Sequence, residues 1–525
     1  MYNSLANPKA ELRGRRSLCL FMHALKKIWD EKPLLIIMAA ALIARLIAVF
    51  FARGYAMSDD HFEVLEIARN WLDGEKIDRL NPSAHSIIYP GLHYLFFLCF
   101  KKMGVYFPDM IMYLVRLAHA LFSLITVYFG YRIVLLRSNK KIAAEASLLL
   151  AILWVFPFMS VRNLIEMVCI PFAVMGFYFG MRSEDTRKSS AALLAGVFLG
   201  LSFVFRYQTI LFAGGMGAVF LFNRNIRSAI LLGAGFCASA FAVQGTTDWI
   251  IYGRPFTSFI YNYAYNSTHA YNYVTLPWYT YIFTIMGALI PPTSLLLMYG
   301  FLRTWKRWAL LFWPTLLFLV FHSCFPNKQE RFILPALPMV VMLGVAGWGE
   351  FAARSSFWNS HPRLTAGLRR WFWCVNILLL LVVSTTYSKR VRVECMNYLH
   401  GKNDLKAFVM ESSDGSIPLP PVFYLEKKVP FYYLTGNEPI DSLQRAIADN
   451  GVAPNYILML NRKHFEERKE RLLALFPGME FCTDVQPSLI DRVLYFLNPR
   501  HNVNEQCTIF RAPSMVRRPD PAATP

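Results

Sequence analysis

Acidic residues are scarce in this chain. Against 54 Lys and Arg there are 34 Asp and Glu, which leaves a net charge of +20 over 525 residues, only 17% of them charged. A surplus of that sign invites nucleic acid. Here, however, the basic residues fall in short clusters between apolar runs and form no stripe interleaved with stacking aromatics, so no nucleic acid is expected as a partner. Cysteine is the next shortage. The nine present form no Cys-x-x-Cys and no Cys/His box, and Cys99, Cys169, Cys237 and Cys374 lie within apolar stretches, which excludes a zinc centre. The first long apolar run, 33–51, lacks a clean small-residue cleavage site and is long enough to span a bilayer, so it is expected to stay as an anchor.

Apolar and aromatic residues are abundant: 55% of the chain is hydrophobic, mean hydropathy is +0.34, and there are 43 Phe and 26 Tyr. That composition reads as a multi-pass integral membrane protein. Spanning runs lie at 33–51, 109–136, 142–158, 163–181, 190–206, 208–222, 228–246, 280–301, 308–323, 332–350 and 371–386, about eleven helices in all. The run 90–104 is short and ends in Lys101 and Lys102. If it does not span, the positive-inside rule places six basic segments in the cytoplasm: the N-terminus (Arg13, Arg15, Arg16, Lys26, Lys27), Arg137–Lys141, Arg182–Lys188, Asn223–Arg227, Arg303–Arg307 and Arg354–Arg370. If it did span, every later cluster would face outward, so it is read as a helix lying in the outer interface. The N-terminus is then inside and the C-terminus outside, with 52–108, 159–163, 247–278, 324–331 and the tail after Tyr387 on the non-cytoplasmic face.

The tail loses the long apolar runs. Val422–Leu425, Tyr456–Leu460 and Val493–Phe496 read as strands, and Ile440–Asp449 and Lys463–Leu475 as helices, which predicts a small α/β domain. The expected division is a cytoplasmic N-terminus over 1–32, a transmembrane domain over 33–387 carrying the outer loop 52–108, an α/β domain over 388–511, and a Pro- and Arg-rich disordered tail over 512–525. On this topology Cys482 and Cys507 lie in an oxidising space and are candidates for pairing.

Charge held at membrane level is costly and is the pattern to search for chemistry. The first outer loop opens Met57-Ser58-Asp59-Asp60-His61-Phe62-Glu63-Val64-Leu65-Glu66-Ile67-Ala68. Ser58 or Asp59 can cap a helix with the apolar stripe Phe62, Leu65, Ile67 and Ala68, leaving ionised carboxylates at its N-terminus. Such a carboxylate can act as a general base or be no more than a cap. Three further groups share its face: Arg162 with Glu166 one helical turn on, Arg206 at a helix end, and Asn327-Lys328-Gln329-Glu330-Arg331. Each could instead be an internal ion pair or a snorkelling cation. Neither alternative predicts that all of them fall on the face with Asp59 while ordinary basic clusters mark the opposite face.

Taken in order, the sequence resembles glycosyltransferase family 22 of the GT-C superfamily. The residues that carry the resemblance are Asp59-Asp60-His61-Phe62-Glu63-Val64-Leu65-Glu66, Tyr89-Pro90, Arg162 with Glu166, Arg206-Tyr207-Gln208-Thr209, Asp248-Trp249-Ile250-Ile251-Tyr252-Gly253, Pro277-Trp278-Tyr279 and Lys328-Gln329-Glu330-Arg331-Phe332-Ile333-Leu334-Pro335. The family holds the mannosyltransferases of the GPI-anchor and N-glycan pathways and bacterial relatives. Its His-Pro-Asp-Glu reads Met57-Ser58-Asp59-Asp60 here, and its His-Lys-Glu reads Asn327-Lys328-Gln329, closer to bacterial members. The resemblance implies a GT-C fold with a polyprenyl-phosphate-sugar donor and a lipid-linked or glycan acceptor, among membrane lipids. It also implies inversion in one displacement of mannose or a similar hexose or pentose. The membrane would be the bacterial cytoplasmic membrane, or the endoplasmic reticulum in a eukaryote. Asp59 aligns with the family's catalytic Asp, with Asp60 beside it. Arg162, Glu166, Arg206, Asp248, Trp278, Lys328, Glu330 and Arg331 fall at the substrate-binding positions. With Arg206, Lys328 and Arg331 to meet the leaving phosphate, no metal and no cofactor is required, although an Asp pair could hold a divalent cation. The rival class is a membrane transporter or flippase of lipid-linked sugars. Internal repeats and Gly/Pro-broken helices, which mark such proteins, are not evident in the sequence.

Overall fold

The computed structural model describes residues 26–513 except 28, 59–60, 187–188, 414–416, 437, 498 and 500–504. The N-terminal arginines, Asp59, Asp60, Lys188 and the tail beyond 513 therefore lie outside the described residues. The chain forms two compact units: Met1–Ala48, Ile77–Tyr89 and Leu117–Ser384 in one; Val49–Lys76, Pro90–Arg116 and Thr385–Pro525 in the other.

The first unit is helical. Its principal helices are α1 (Pro33–Phe51), α2 (Ile88–Lys102), α3 (Pro108–Arg137), α4 (Lys140–Ile152), α5 (Ile165–Thr186), α6 (Ser190–Phe205), α7 (Ile210–Phe222), α8 (Ile226–Ala240), α9 (Thr246–Tyr252), α10 (Thr280–Ala288), α11 (Thr293–Arg303), α12 (Ala309–Cys324), α13 (Leu337–Arg354) and α14 (Pro362–Ser384), with the end of α1, α2 from Pro90 onward and α3 up to Arg116 belonging to the other unit. Among the described residues six helical stretches are long and apolar enough to cross a bilayer, and a seventh candidate is the pair α10 and α11. The helices at Ser190–Phe205, Tyr207–Phe222 and Ala309–Cys324 are shorter. Sixteen residues, as in α6 and α12, rise only about 24 Å against a hydrocarbon core of about 30 Å.

Two of the expected spans are broken, contrary to the reading that such breaks are absent. The run 280–301 bends by 115° between α10 and α11, where Pro291 and Pro292 withhold two amide donors. The run 142–158 stops at Leu153, whose backbone is extended. Side chains satisfy the groups that each break frees, as an apolar surrounding demands. Asn376 accepts from Trp154 N at 2.9 Å and donates to Ile152 O at 2.8 Å, while Arg45 donates to Ala151 O at 2.8 Å. The indoles of Trp154 and Trp371 donate to Ala288 O and Pro291 O, at 3.0 and 2.8 Å.

Helices α6 and α8 touch backbone to backbone. A Cβ built on Gly196 would lie 2.0 Å from Leu232 O, and one on Gly235 would lie 2.2 Å from Leu193 O. Small residues spaced in this way let apolar helices associate where lipid supplies no hydrophobic drive.

The second unit is built on a five-stranded sheet of β1 (Phe408–Ser412), β2 (Phe431–Thr435), β3 (Tyr456–Leu460), β4 (Glu480–Val485) and β5 (Cys507–Arg511), in the order β2-β1-β3-β5-β4. β1 runs parallel to β2 and β3, and β5 is antiparallel to β3 and β4. β1 and β3 are buried along their whole length, as strands covered on both faces should be. Phe408, Met410, Tyr456 and Leu458 pack on one face with Tyr55, Leu65 and Phe97; Val409, Ile457 and Met459 pack on the other with Leu443, Ile447 and Leu472. Of the predicted strands only Tyr456–Leu460 is one. Val422–Leu425 is a 3₁₀ turn and Val493–Phe496 lies inside the helix Leu489–Leu497, whereas the helices Ile440–Asn450 and Phe465–Leu475 stand where expected. Cys482 and Cys507 are free thiols: β5 sets Val485 opposite Cys507.

Candidate functional site

Within the helical unit, Glu166 is the hub. It lies in the first turn of α5, where the helix dipole favours a carboxylate, and its side chain is fully buried. Arg206 is delivered by the end of α6: the backbone leaves the helix at that residue in an extended conformation and turns into the 3₁₀ segment Tyr207–Thr209. Its guanidinium donates to Glu166 Oε1 at 2.8 Å. Arg331 comes from the 3₁₀ segment Glu330–Ala336 that leads into α13, and its Nε stands 3.7 Å from the same oxygen while donating to Gln329 Oε1 at 2.8 Å. Both guanidinium groups lie over the Phe332 ring, at 4.8 and 5.6 Å. Glu166 Oε2 and Arg206 Nε are buried with no partner among the described residues, so the cluster is not closed on itself.

Lys328 borders this group. Its ammonium donates to Phe325 O and lies 5.6 Å from the Tyr281 ring, and its own amide donates to Val274 O at 3.0 Å. Tyr281 Oη accepts from Gln329 N and donates to Gln329 O, both at 3.2 Å, which fixes the 327–331 segment. Burial holds the Lys328 ammonium below its ordinary pKa. Arg162 is buried over the Phe158 ring at 4.4 Å. His322, which sequence reasoning passed over as one more residue of an apolar run, is buried in α12 with its ring 6.4 Å from Phe332.

The remaining expected residues stand apart. Asp248 is fully buried in α9 and takes hydrogen bonds from Gln244 Nε2, Ser258 N and Ser258 Oγ, each at 2.9 Å. Gln244 in turn accepts from Ser86 Oγ at 2.6 Å, so this carboxylate ties down the turn between α9 and Ser258 and the 83–89 segment. Trp278 is 64% exposed and meets Tyr279 edge to face, and Glu330 is exposed.

In the second unit the residues that follow Asp60 are locked in place. His61–Glu66 forms a π-helical turn continued by the helix Ile67–Leu72. The apolar stripe expected there is replaced by a mixed one: His61, Val64, Leu65, Glu66 and Ala68 are buried, while Phe62 and Ile67 are half-buried. A π turn shifts the face presented to the core relative to a 3.6-residue period, which is the physical reason for the difference. His61 is stacked on Tyr55 at 4.8 Å and Tyr424 at 5.5 Å, and its Nε2 lies 3.1 Å from Glu66 Oε1, which also accepts from Phe423 N at 2.8 Å. Nearby, Arg53 donates to Asp109 Oδ2 at 2.7 Å and lies over the Tyr387 ring at 4.9 Å, and Gly54 passes so close to Ser388 that a Cβ would sit 1.9 Å from its carbonyl oxygen.

Residues 36–413 match the model of the Alg9-like mannosyltransferase family. GPI mannosyltransferase 3 of Yarrowia lipolytica is 22% identical over 426 residues, 77% of each chain. Among solved structures, ArnT from Cupriavidus metallidurans bound to undecaprenyl phosphate superposes with a TM-score of 0.58 at 12% identity, covering 93% of this chain and 99% of that one. Its apo state gives 0.55 at 12% identity over 91% and 97%. The likeness in both cases is one of fold.

Proposed function

The chain belongs to the Alg9-like mannosyltransferase family, and on that premise we propose that it transfers mannose or a similar hexose or pentose from a polyprenyl-phosphate donor to a lipid-linked or glycan acceptor, with inversion. The observation that carries the reading is the balance of buried charge: Glu166 meets Arg206 and Arg331, and Lys328 borders the group beside Tyr281, so the three buried cations outnumber the buried carboxylate by two. A phosphate departing from the anomeric carbon gains negative charge, and preorganised cations in a water-poor site stabilise that gain most. Asp59 removes the acceptor hydroxyl proton as the new bond forms, with Asp60 as its neighbour, and the lipid phosphate leaves from the opposite side. Arg162 adds to the positive field, Asp248 holds the segment bearing Ser86, and Trp278 and Glu330 offer a stacking face and an acceptor to the sugar. No cofactor takes part. The undecaprenyl phosphate held by the solved protein of like fold is the donor chemistry proposed.

The membrane arrangement proposed with this reading has the N-terminus inside, about eleven crossings and the 388–511 domain on the non-cytoplasmic side of a bacterial cytoplasmic membrane, or of an endoplasmic reticulum membrane in a eukaryote. The deciding experiment supplies membranes containing the full-length protein with radiolabelled polyprenyl-phosphate sugars, one at a time. Label is expected in an acceptor fraction for one sugar and is expected to fall about a hundredfold to ten-thousandfold in Asp59→Asn. Movement of intact labelled lipid across the bilayer without covalent transfer would replace the enzyme reading by that of a flippase.

A further inference from the structure

At the end of α13 remote from Arg331, the helical unit holds a cavity of about 640 Å³, within the size range of built ligand sites. Trp348, which lines it, is eleven residues beyond Leu337, so about 16 Å of helix rise separates it from the start of α13. The cavity's wall is apolar: Leu148 and Leu149 of α4, Leu297 of α11 and Phe372 of α14. Its rim is aromatic, with Trp29, Trp348, Trp358 and Trp373, the first ring of α13 meeting Trp358 edge to face at 4.9 Å. Lys140, Lys141 and Arg369 stand around it against Asp30 and Glu145.

The cations differ in what they have left to offer. Lys140 Nζ is tied to the carbonyl oxygens of Asp30 and Glu31 at 2.9 and 2.5 Å, and Arg369 to Glu145 at 2.8 Å. Lys141 has no ion pair or hydrogen-bond partner for its ammonium among the described residues. Indole rims favour the level of lipid headgroups, where one edge is wet and the other apolar. An apolar slot, an indole rim and a net positive charge with one uncommitted ammonium match a molecule with a hydrocarbon tail and a single phosphate.

We propose that this cavity is a binding site for an anionic phospholipid, its acyl chain against α4, α11 and α14 and its phosphate on Lys141. The lipid is one of the surrounding leaflet and not the sugar carrier, because the cavity's cations come from the basic segments 137–141 and 354–370, which the proposed topology places on the face to which anionic lipids are drawn.

The test uses purified full-length protein in detergent, where leaflet sidedness plays no part, so its outcome is independent of the topology and of the enzyme reading. Phosphatidylglycerol, phosphatidylcholine or polyprenyl phosphate is added, and bound lipid is counted by native mass spectrometry. Retention of phosphatidylglycerol over phosphatidylcholine is expected, falling roughly fivefold or more in Lys141→Glu and unchanged in the surface control Lys406→Glu. In parallel, phosphatidylglycerol with a photoactivatable acyl chain is cross-linked to unaltered protein, with adducts expected on peptides of α4, α11 or α14. Equal retention of the two lipids, adducts confined to other helices, or preferential retention of polyprenyl phosphate at these peptides would each overturn the proposal.

Discussion

Glu166 stands beside Arg206 and Arg331, and its neutralisation tests the candidate site at one atom. In Glu166→Gln the amide keeps the shape but leaves the buried Arg206 and Arg331 groups without their counter-charge. Breaking a buried pair from one side costs about 3–5 kcal/mol, so the variant should unfold at a clearly lower temperature in detergent and lose transfer with it. Asp59→Asn should separate the two effects, losing transfer at unchanged thermal stability. A Glu166→Gln protein as stable as the parent would remove the carboxylate from its place as hub. Lys328 supports a second test, in pH. Its native pKa lies below the ordinary lysine value because burial disfavours the ammonium. The folded protein therefore loses this proton at a lower pH than the unfolded chain does, and the charge offered to a leaving phosphate fades as pH rises through that depressed value. Transfer should decline on the alkaline side earlier than an ordinary lysine would dictate. In Lys328→Arg, which stays charged, the decline in kcat/KM should move to higher pH.

The crossing of α6 and α8 is set by glycines that leave no room for a methyl group. Gly196→Ala would gain helix propensity in isolation, yet its Cβ would have to displace the Leu232 backbone, and overpacking of this kind costs about 1–3 kcal/mol. Gly217, whose Cβ would meet only Leu232 Cδ2 at 3.7 Å, is the matched control, and Gly217→Ala should leave the unfolding temperature where it was or raise it. Most of the long apolar runs were legible as single helices, while 142–158 and 280–301 each became two; the breaks were not legible, because they depend on partners far along the chain. Nothing near 153 foretells Asn376, 222 residues on, taking both freed backbone groups at that break. The strands failed for a different reason. Val422–Leu425 has a strand's composition but follows Pro420 and Pro421, ends at Glu426 with φ +56, and spends its Phe423 amide on Glu66. The segment Phe408–Ser412 looks mixed in sequence because it contains Glu411, whose charge is met by Arg468 from the helix Phe465–Leu475. Short apolar runs do not declare their period, and tertiary partners decide them. Of the candidate site, Arg206, Arg331 and Glu166 could be found as charges beside apolar helices, whereas the anchoring of His61 between Tyr55 and Tyr424 could not, since Tyr424 lies far along the chain.

For the molecule as a whole, one short helix carries the topology. Ile88–Lys102 has 15 residues, a rise of about 22 Å, which is less than the hydrocarbon thickness and agrees with a helix that does not cross. Were it to cross, the parity of every later segment would reverse, and the basic stretches at 137–141, 223–227, 303–307 and 354–370 would face outward, against the bias of short loops. Single cysteines distinguish the two arrangements in a background where the exposed native thiols Cys99, Cys237, Cys324 and Cys374 are replaced. Ser83 and Asp449 are suitable outer sites. Gly436 is not, since a Cβ there would lie 2.8 Å from Ser413 O. Ser138, beside the helix-capping Asn139, is the site expected on the inner face and leaves that cap intact. In sealed right-side-out vesicles an impermeant maleimide should label Ser83→Cys and Asp449→Cys at once and Ser138→Cys only after detergent. Immediate labelling of Ser138→Cys with protection of Asp449→Cys would mean that Ile88–Lys102 crosses the bilayer and that the tail after Tyr387 faces the cytoplasm. Labelling of all three before detergent would mean leaky vesicles, which an internal cytoplasmic marker enzyme detects in the same sample. The expected pattern keeps Asp59, Arg162, Arg206 and Lys328 on one face, as a single-displacement transfer requires, and it does so by the parity of that one helix.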